Sequence, residues 1–147
     1  MRKIARSAIV ACSPEQFYAL VEDIESYPSF LPGCVAAEVH ERSGDETEAT
    51  LTLGMAGLRQ SFTTRNENTP GRAIDLRLVT GPFRRFAASW RFTPLGKQGT
   101  KVEFSMEYEF SSRILGRVLQ PAFDRMADSM VDAFTRRAED LHGDAEG

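Results

Sequence analysis

The chain has 147 residues, of which 41% are hydrophobic, 27% charged and 10% aromatic; this excludes disorder, collagen and coiled coil and fits a single domain, residues 1–147, ordered from about residue 3 to residue 142. The formal net charge of -3 hides an uneven distribution, because residues 57 to 101 carry nine basic and two acidic side chains while the flanking segments are acidic. Such a protein is no general binder of polyanions and is not expected to bind DNA, but its basic middle third can present one positive face.

Residues 3 to 12 alternate as a first strand. The apolar stretch Ala8 to Cys12 behind Met1-Arg2-Lys3 is too short for a signal-peptide core. No apolar run approaches the ~20 residues of a membrane span, so a cytoplasmic protein is expected. Cys12 and Cys34 lack CxxC spacing and a nearby His pair, as buried thiols in a reducing compartment do. Ser13-Pro14-Glu15-Gln16 is a helix start: Ser13 can cap, Pro14 loses no hydrogen bond there, and Gln16 can reach back as a capping box. Phe17, Leu20, Val21 and Ile24 then mark one buried helical face, which stops before Pro28. The segment Tyr27-Pro28-Ser29-Phe30-Leu31-Pro32-Gly33-Cys34 has too many prolines for a long helix and too many apolar side chains for an ordinary surface loop.

From Cys34 to Ser111 the period is two, broken at Ser43-Gly44-Asp45, near Gly57, at Thr69-Pro70-Gly71, at Thr80-Gly81-Pro82 and between Pro94 and Gly99. Six antiparallel strands follow from connections this short. Their inner face takes Leu51, Leu53 and Met55, then Phe62, then Ile74, Leu76 and Leu78, then Ala88, Trp90 and Phe92, and last Val102, Phe104, Met106, Tyr108 and Phe110. A helical period returns with Leu115, Leu119, Phe123, Met126, Met130, Phe134, Ala138 and Leu141, and Pro121 is expected to begin or kink that helix.

This order of elements resembles the α+β helix-grip fold of the START-like superfamily, a curved antiparallel sheet wrapped around a long C-terminal helix. The Tyr27 to Cys34 run, Gly81-Pro82-Phe83 followed by Trp90-Arg91-Phe92, and the ending Met130-Val131-Asp132-Ala133-Phe134 with Arg137-Ala138 are similar to the coenzyme Q-binding and RatA-type branch across nearly the whole chain. One position departs from it: Gly33 stands where that branch usually has Trp before the cysteine. The resemblance implies a hydrophobic cavity between sheet and helix that holds an isoprenoid quinone and, in RatA-type members, a toxin that blocks association of the ribosomal subunits.

The inner-face list has Tyr108 as its one ionisable side chain, and neither His40 nor His142 is placed to complete a dyad or metal set, so no catalytic residue is assigned. The large side chains are read either as close-packed core or as cavity lining, with Ala8, Ala88 and Ala138 leaving gaps and Met126 and Met130 as adaptable walls. In the second reading a ubiquinone would touch Leu53, Phe62, Leu76, Trp90, Phe104, Met106 and Tyr108 on the sheet and Phe123, Met126 and Met130 on the helix. Phe30, Leu31 and Phe83 would then form the lips of the mouth. Arg59, Arg65, Arg77, Arg85 and Arg91 share the outer parity of successive strands. They form a solvated face or a docking stripe for anionic lipid or ribosomal RNA. The sequence expectation is a non-enzymatic quinone carrier or chaperone without a cofactor, at the inner face of the membrane. The alternative is a RatA-type toxin on a ribosomal subunit, and the least favoured reading is a cyclase-like enzyme.

Overall fold

The capping box that opens the first helix forms as its sequence dictates: Ser13 Oγ accepts from the Gln16 N–H at 3.1 Å, and Gln16 Oε1 accepts from the Ser13 N–H at 2.9 Å. In this computed structural model, which describes residues 2–55, 57–96 and 99–142, β1 (Arg2–Val10) leads into that helix, α1 (Pro14–Glu22). A 3-10 turn over Ile24–Ser29 absorbs Pro28. Then come β2 (Cys34–Ser43), β3 (Glu46–Met55), β4 (Leu58–Thr69), β5 (Ala73–Thr80), β6 (Phe83–Leu95), β7 (Gly99–Phe110) and α2 (Arg113–His142). Lys97 and Gln98, within the expected break before Gly99, and the expected frayed end after His142 lie outside the described residues.

The strands form one antiparallel sheet in the order β1-β7-β6-β5-β4-β3-β2. Only β1 is inserted out of sequence, against β7, which is where α1 and the 3-10 turn must cross the sheet to deliver the chain to β2 at the other edge. The sheet grips α2, whose buried stripe is Leu119, Phe123, Ala127, Val131, Phe134 and Ala138. This is the α+β helix-grip fold.

Two features of α2 differ from the sequence expectation. The helix begins at Arg113 and Pro121 lies inside it. Ser112 accepts the Leu115 N–H on its side chain and the Gly116 N–H on its carbonyl, so the start is capped well before the proline, whose missing N–H falls on the exposed side. The buried stripe also turns toward Ala127 and Val131, leaving Met126 and Met130 half-buried beside it and Leu141 half exposed. Ala127 and Val131 thus hold the centre of the buried stripe, and the two methionines lie alongside in the wall of the space between helix and sheet.

One glycine is fixed by space and another by its backbone conformation. A Cβ on Gly81, in the turn from β5 to β6, would lie 2.6 Å from Phe62 Cβ. Gly33 sits at φ +86, where a Cβ would face Met126 Sδ at 3.4 Å. The position that departs from the branch's usual Trp is therefore a left-handed residue held against α2, and its carbonyl accepts the Gly54 N–H at 2.8 Å.

Candidate functional site

Between the sheet and α2 lies a largely apolar, partly closed space of about 70 Å³. The alternation of β3 to β7 turns Leu53, Phe62, Leu76, Trp90, Phe104 and Met106 into it, α2 supplies Phe123, Met126 and Met130, and Leu31 closes it from the segment after the 3-10 turn. Tyr27, Leu51, Phe86, Ala88, Ala127 and Phe134 complete the apolar wall. The volume decides what fits. A site for a drug-sized ligand runs to roughly 300–1,000 Å³, and this space is several-fold smaller. A quinone ring with an isoprenoid tail enters only if the wall moves.

Phe30 and Phe83, expected as lips of the mouth, and Tyr108, expected in the lining, are not among the residues around this space. Phe30 is half-buried against Tyr27 and Phe134, with ring centroids at 6.1 and 5.1 Å, and the Arg137 guanidinium lies 5.3 Å above its ring. Phe83 belongs to an aromatic cluster with Phe62, Phe86, Phe110 and Phe123 next to the space. Tyr108 is buried, and its hydroxyl donates to Asp124 of α2, which also accepts Arg2 at 2.6 Å. Burial first, and the Asp124 carboxylate second, push this phenol well above its ordinary range. The polar group in the cavity wall is therefore not Tyr108 but Thr64, whose hydroxyl donates to Asn66 Oδ1 at 2.9 Å.

Sequence reading missed Thr64 and Phe86 for different reasons. Thr64 shares the inward parity of Phe62 but is polar, so an alternation judged by hydrophobicity passes over it. Phe86 is inward although Phe83 is too, because a bulge shifts the register between Phe83 and Arg85. The repeated aromatic at that spacing was the available signal.

The cavity wall carries no acid/base pair. His40 is exposed on β2 and hydrogen-bonded to Thr50, while His142 lies near Gln16. Among the described residues no set of His, Cys, Asp or Glu side chains is arranged to hold a metal. Cys12 and Cys34 are free and buried, and burial raises both thiols, which makes them poor nucleophiles.

On the outer sheet face Arg65 is paired directly with Arg77 across β4 and β5, so the arginines do lie on neighbouring strands. They are interleaved with carboxylates. Arg65 contacts Glu48 at 3.0 Å with Glu41 and Glu46 close by, Arg77 contacts Glu67 at 3.4 Å, and Arg91 contacts Asp75 at 2.9 Å. Arg59 and Arg85 have no ion pair among the described residues. Much of the stripe's charge is thus locally balanced. No described helix is long and apolar enough to cross a membrane.

The sequence profile of the family described as polyketide cyclase / dehydrase and lipid transport matches residues 10–135. The chain is 42% identical over 144 residues to the ribosome association toxin RatA of Vibrio cholerae, covering 98% of this chain and all of that one. It is 25% identical to the mitochondrial coenzyme Q-binding protein COQ10 of Drosophila melanogaster, covering 97% of this chain and 60% of that one. Among solved structures, an 18 kDa protein of Caulobacter crescentus is 33% identical with a TM-score of 0.75, covering 97% of this chain and 99% of that one. The Zhui aromatase/cyclase of Streptomyces shares the fold alone, at 19% identity, a TM-score of 0.82 and coverage of 94% and 93%.

Proposed function

The chain belongs to the polyketide cyclase/dehydrase and lipid transport family, in the coenzyme Q-binding and RatA-type branch of the START-like superfamily, and from that premise we propose that it is a non-enzymatic, ribosome-directed toxin or regulator. It binds a ribosomal subunit and hinders association with the other. The observation that carries this reading is the 42% identity, extending over the whole length, to a protein named for ribosome association. The geometry is consistent with it, since Tyr27, Tyr108, Cys12 and Cys34 are buried, burial raises the pKa of each, and all four act as packing.

A second reading, quinone binding, rests on the largely apolar space and the more distant coenzyme Q-binding relative. It requires the wall of that space to open, because about 70 Å³ does not hold the ligand. One comparison separates the readings. Purified protein should pellet with one isolated ribosomal subunit, and ubiquinone should not quench Trp90 in a saturable way. Saturable quenching without co-sedimentation would reverse the preference.

A further inference from the structure

The first two turns of α2 contradict ordinary helix design. Arg113 and Arg117 stand one turn apart on the same side, a spacing that in a helix puts Cβ atoms about 5–6 Å apart, at the end where the helix macrodipole is already positive. Like charges at this spacing and cations at this terminus both disfavour the helix. Neither has a carboxylate within ion-pair distance among the described residues, unlike Arg65, Arg77 and Arg91 on the sheet. Both are exposed, and both line a cleft of about 560 Å³ between the ends of β6 and β7 and the start of α2.

Two further arginines face that cleft. Arg84 is the residue that the β6 bulge pushes out, and it contacts Glu109 at 3.3 Å while staying largely exposed. Arg2 comes from the start of β1 and is held by Asp124. Ser111, Ser112 and Gln120 add hydroxyl and amide groups. The cleft thus gathers four guanidinium groups with Glu109 as the one carboxylate in its lining, in a chain whose overall charge is negative.

We propose that this cleft seats the phosphate backbone of an RNA strand of the ribosomal subunit, with Arg113 and Arg117 gripping successive phosphates and Arg84 and Arg2 at the rim. The proposal rests on the ribosome-directed reading above and adds its contact surface and the chemistry of the partner. Guanidinium forks match phosphate oxygens in pairs, and a concave site suits a strand better than a flat bilayer. Binding of this kind reads backbone, not sequence, which agrees with the burial of Tyr108 and Phe110, the two aromatics in the cleft's lining, leaving neither ring open for a base to stack on. Ile114 and Val118, exposed in the adjacent row of α2, would lie against sugar edges.

The test is the double variant Arg113→Glu/Arg117→Glu, compared with Arg72→Glu/Arg136→Glu, which makes the same charge change at exposed sites away from the cleft. Glutamate in the first turn favours the helix dipole, so the cleft variant should fold. Co-sedimentation with isolated subunits and filter binding of protein-free ribosomal RNA are measured from 50 to 200 mM salt. Wild type and control should bind both, and binding should weaken with salt. The cleft variant should lose about tenfold or more at 50 mM salt and show a salt slope smaller by about two, one for each phosphate contact. A cleft variant that binds subunit and RNA like wild type overturns the proposal and leaves the ribosome reading intact. Wild type that binds neither overturns both. A variant that keeps RNA binding but loses binding to vesicles containing anionic phospholipid moves the cleft's partner to a membrane and overturns the proposal.

Discussion

Tyr27 shows how a residue from a suspected lid can serve first as structure. Its ring packs on Phe134 at 5.2 Å, its hydroxyl donates to the Val21 carbonyl, and the side chain lines the cavity. Burial is the main reason its phenol is held far above the ordinary tyrosine value, with the nearby Cys34 and carboxylates adding to it. A raised folded-state value means that the native state favours the protonated form. The resulting stability is fully present below about pH 10, the unfolded value, and is lost as pH rises above it. Tyr27→Phe should therefore cost about 1 kcal/mol at pH 7 through the lost hydrogen bond, yet show a shallower fall in Tm than wild type between about pH 9 and 11. Thermal melts across that range check this, and parallel curves would contradict it. At this scale the sequence revealed the apolar lining by alternation. It concealed Thr64, whose inward parity was masked by its polarity, and Tyr108, whose hydroxyl is claimed by Asp124 on a distant helix. Contacts across 16 residues of chain leave no local pattern to read.

At the scale of elements, the strands and α1 follow from their own segments, since alternation, turn residues and the Ser13 cap act within a few positions. What needed the folded molecule was everything set by approach between elements. The bulge that turns both Phe83 and Phe86 inward is a register event between β6 and β7, and the place of Ala127 and Val131 at the centre of α2's buried stripe is set where the helix meets the sheet. Two glycines make the point testable with opposite signs. Gly81→Ala should destabilise by about 1–3 kcal/mol, because its Cβ would collide with Phe62 Cβ at 2.6 Å in a packed turn. Gly116→Ala should stabilise by about 0.5–1 kcal/mol, because the nearest atom, Phe110 Cβ, is 3.6 Å away and alanine is the better helix former. Denaturant unfolding of both variants reads the two signs. Equal effects of the two substitutions would contradict both expectations.

For the whole molecule, the fold was legible in the order of the elements, whereas the choice of partner was not. A sheet gripping a helix through large side chains looks the same in sequence whether the interface is closed or open, and only the small volume left between Trp90, Phe104 and Met130 shows that it is nearly closed. Charge behaved similarly. The basic middle third was visible as a count, but much of it is balanced across strands by Glu48, Glu67 and Asp75, while the unbalanced arginines Arg113 and Arg117 sit outside it at the head of α2. The proposed action on the ribosome stands against that of a quinone carrier. Its most direct measurement is reassociation of purified ribosomal subunits, followed by light scattering and a sucrose gradient, with increasing amounts of the protein. Fewer whole ribosomes are expected as the protein approaches the concentration of one subunit. Full reassociation at a large excess of folded protein would contradict it.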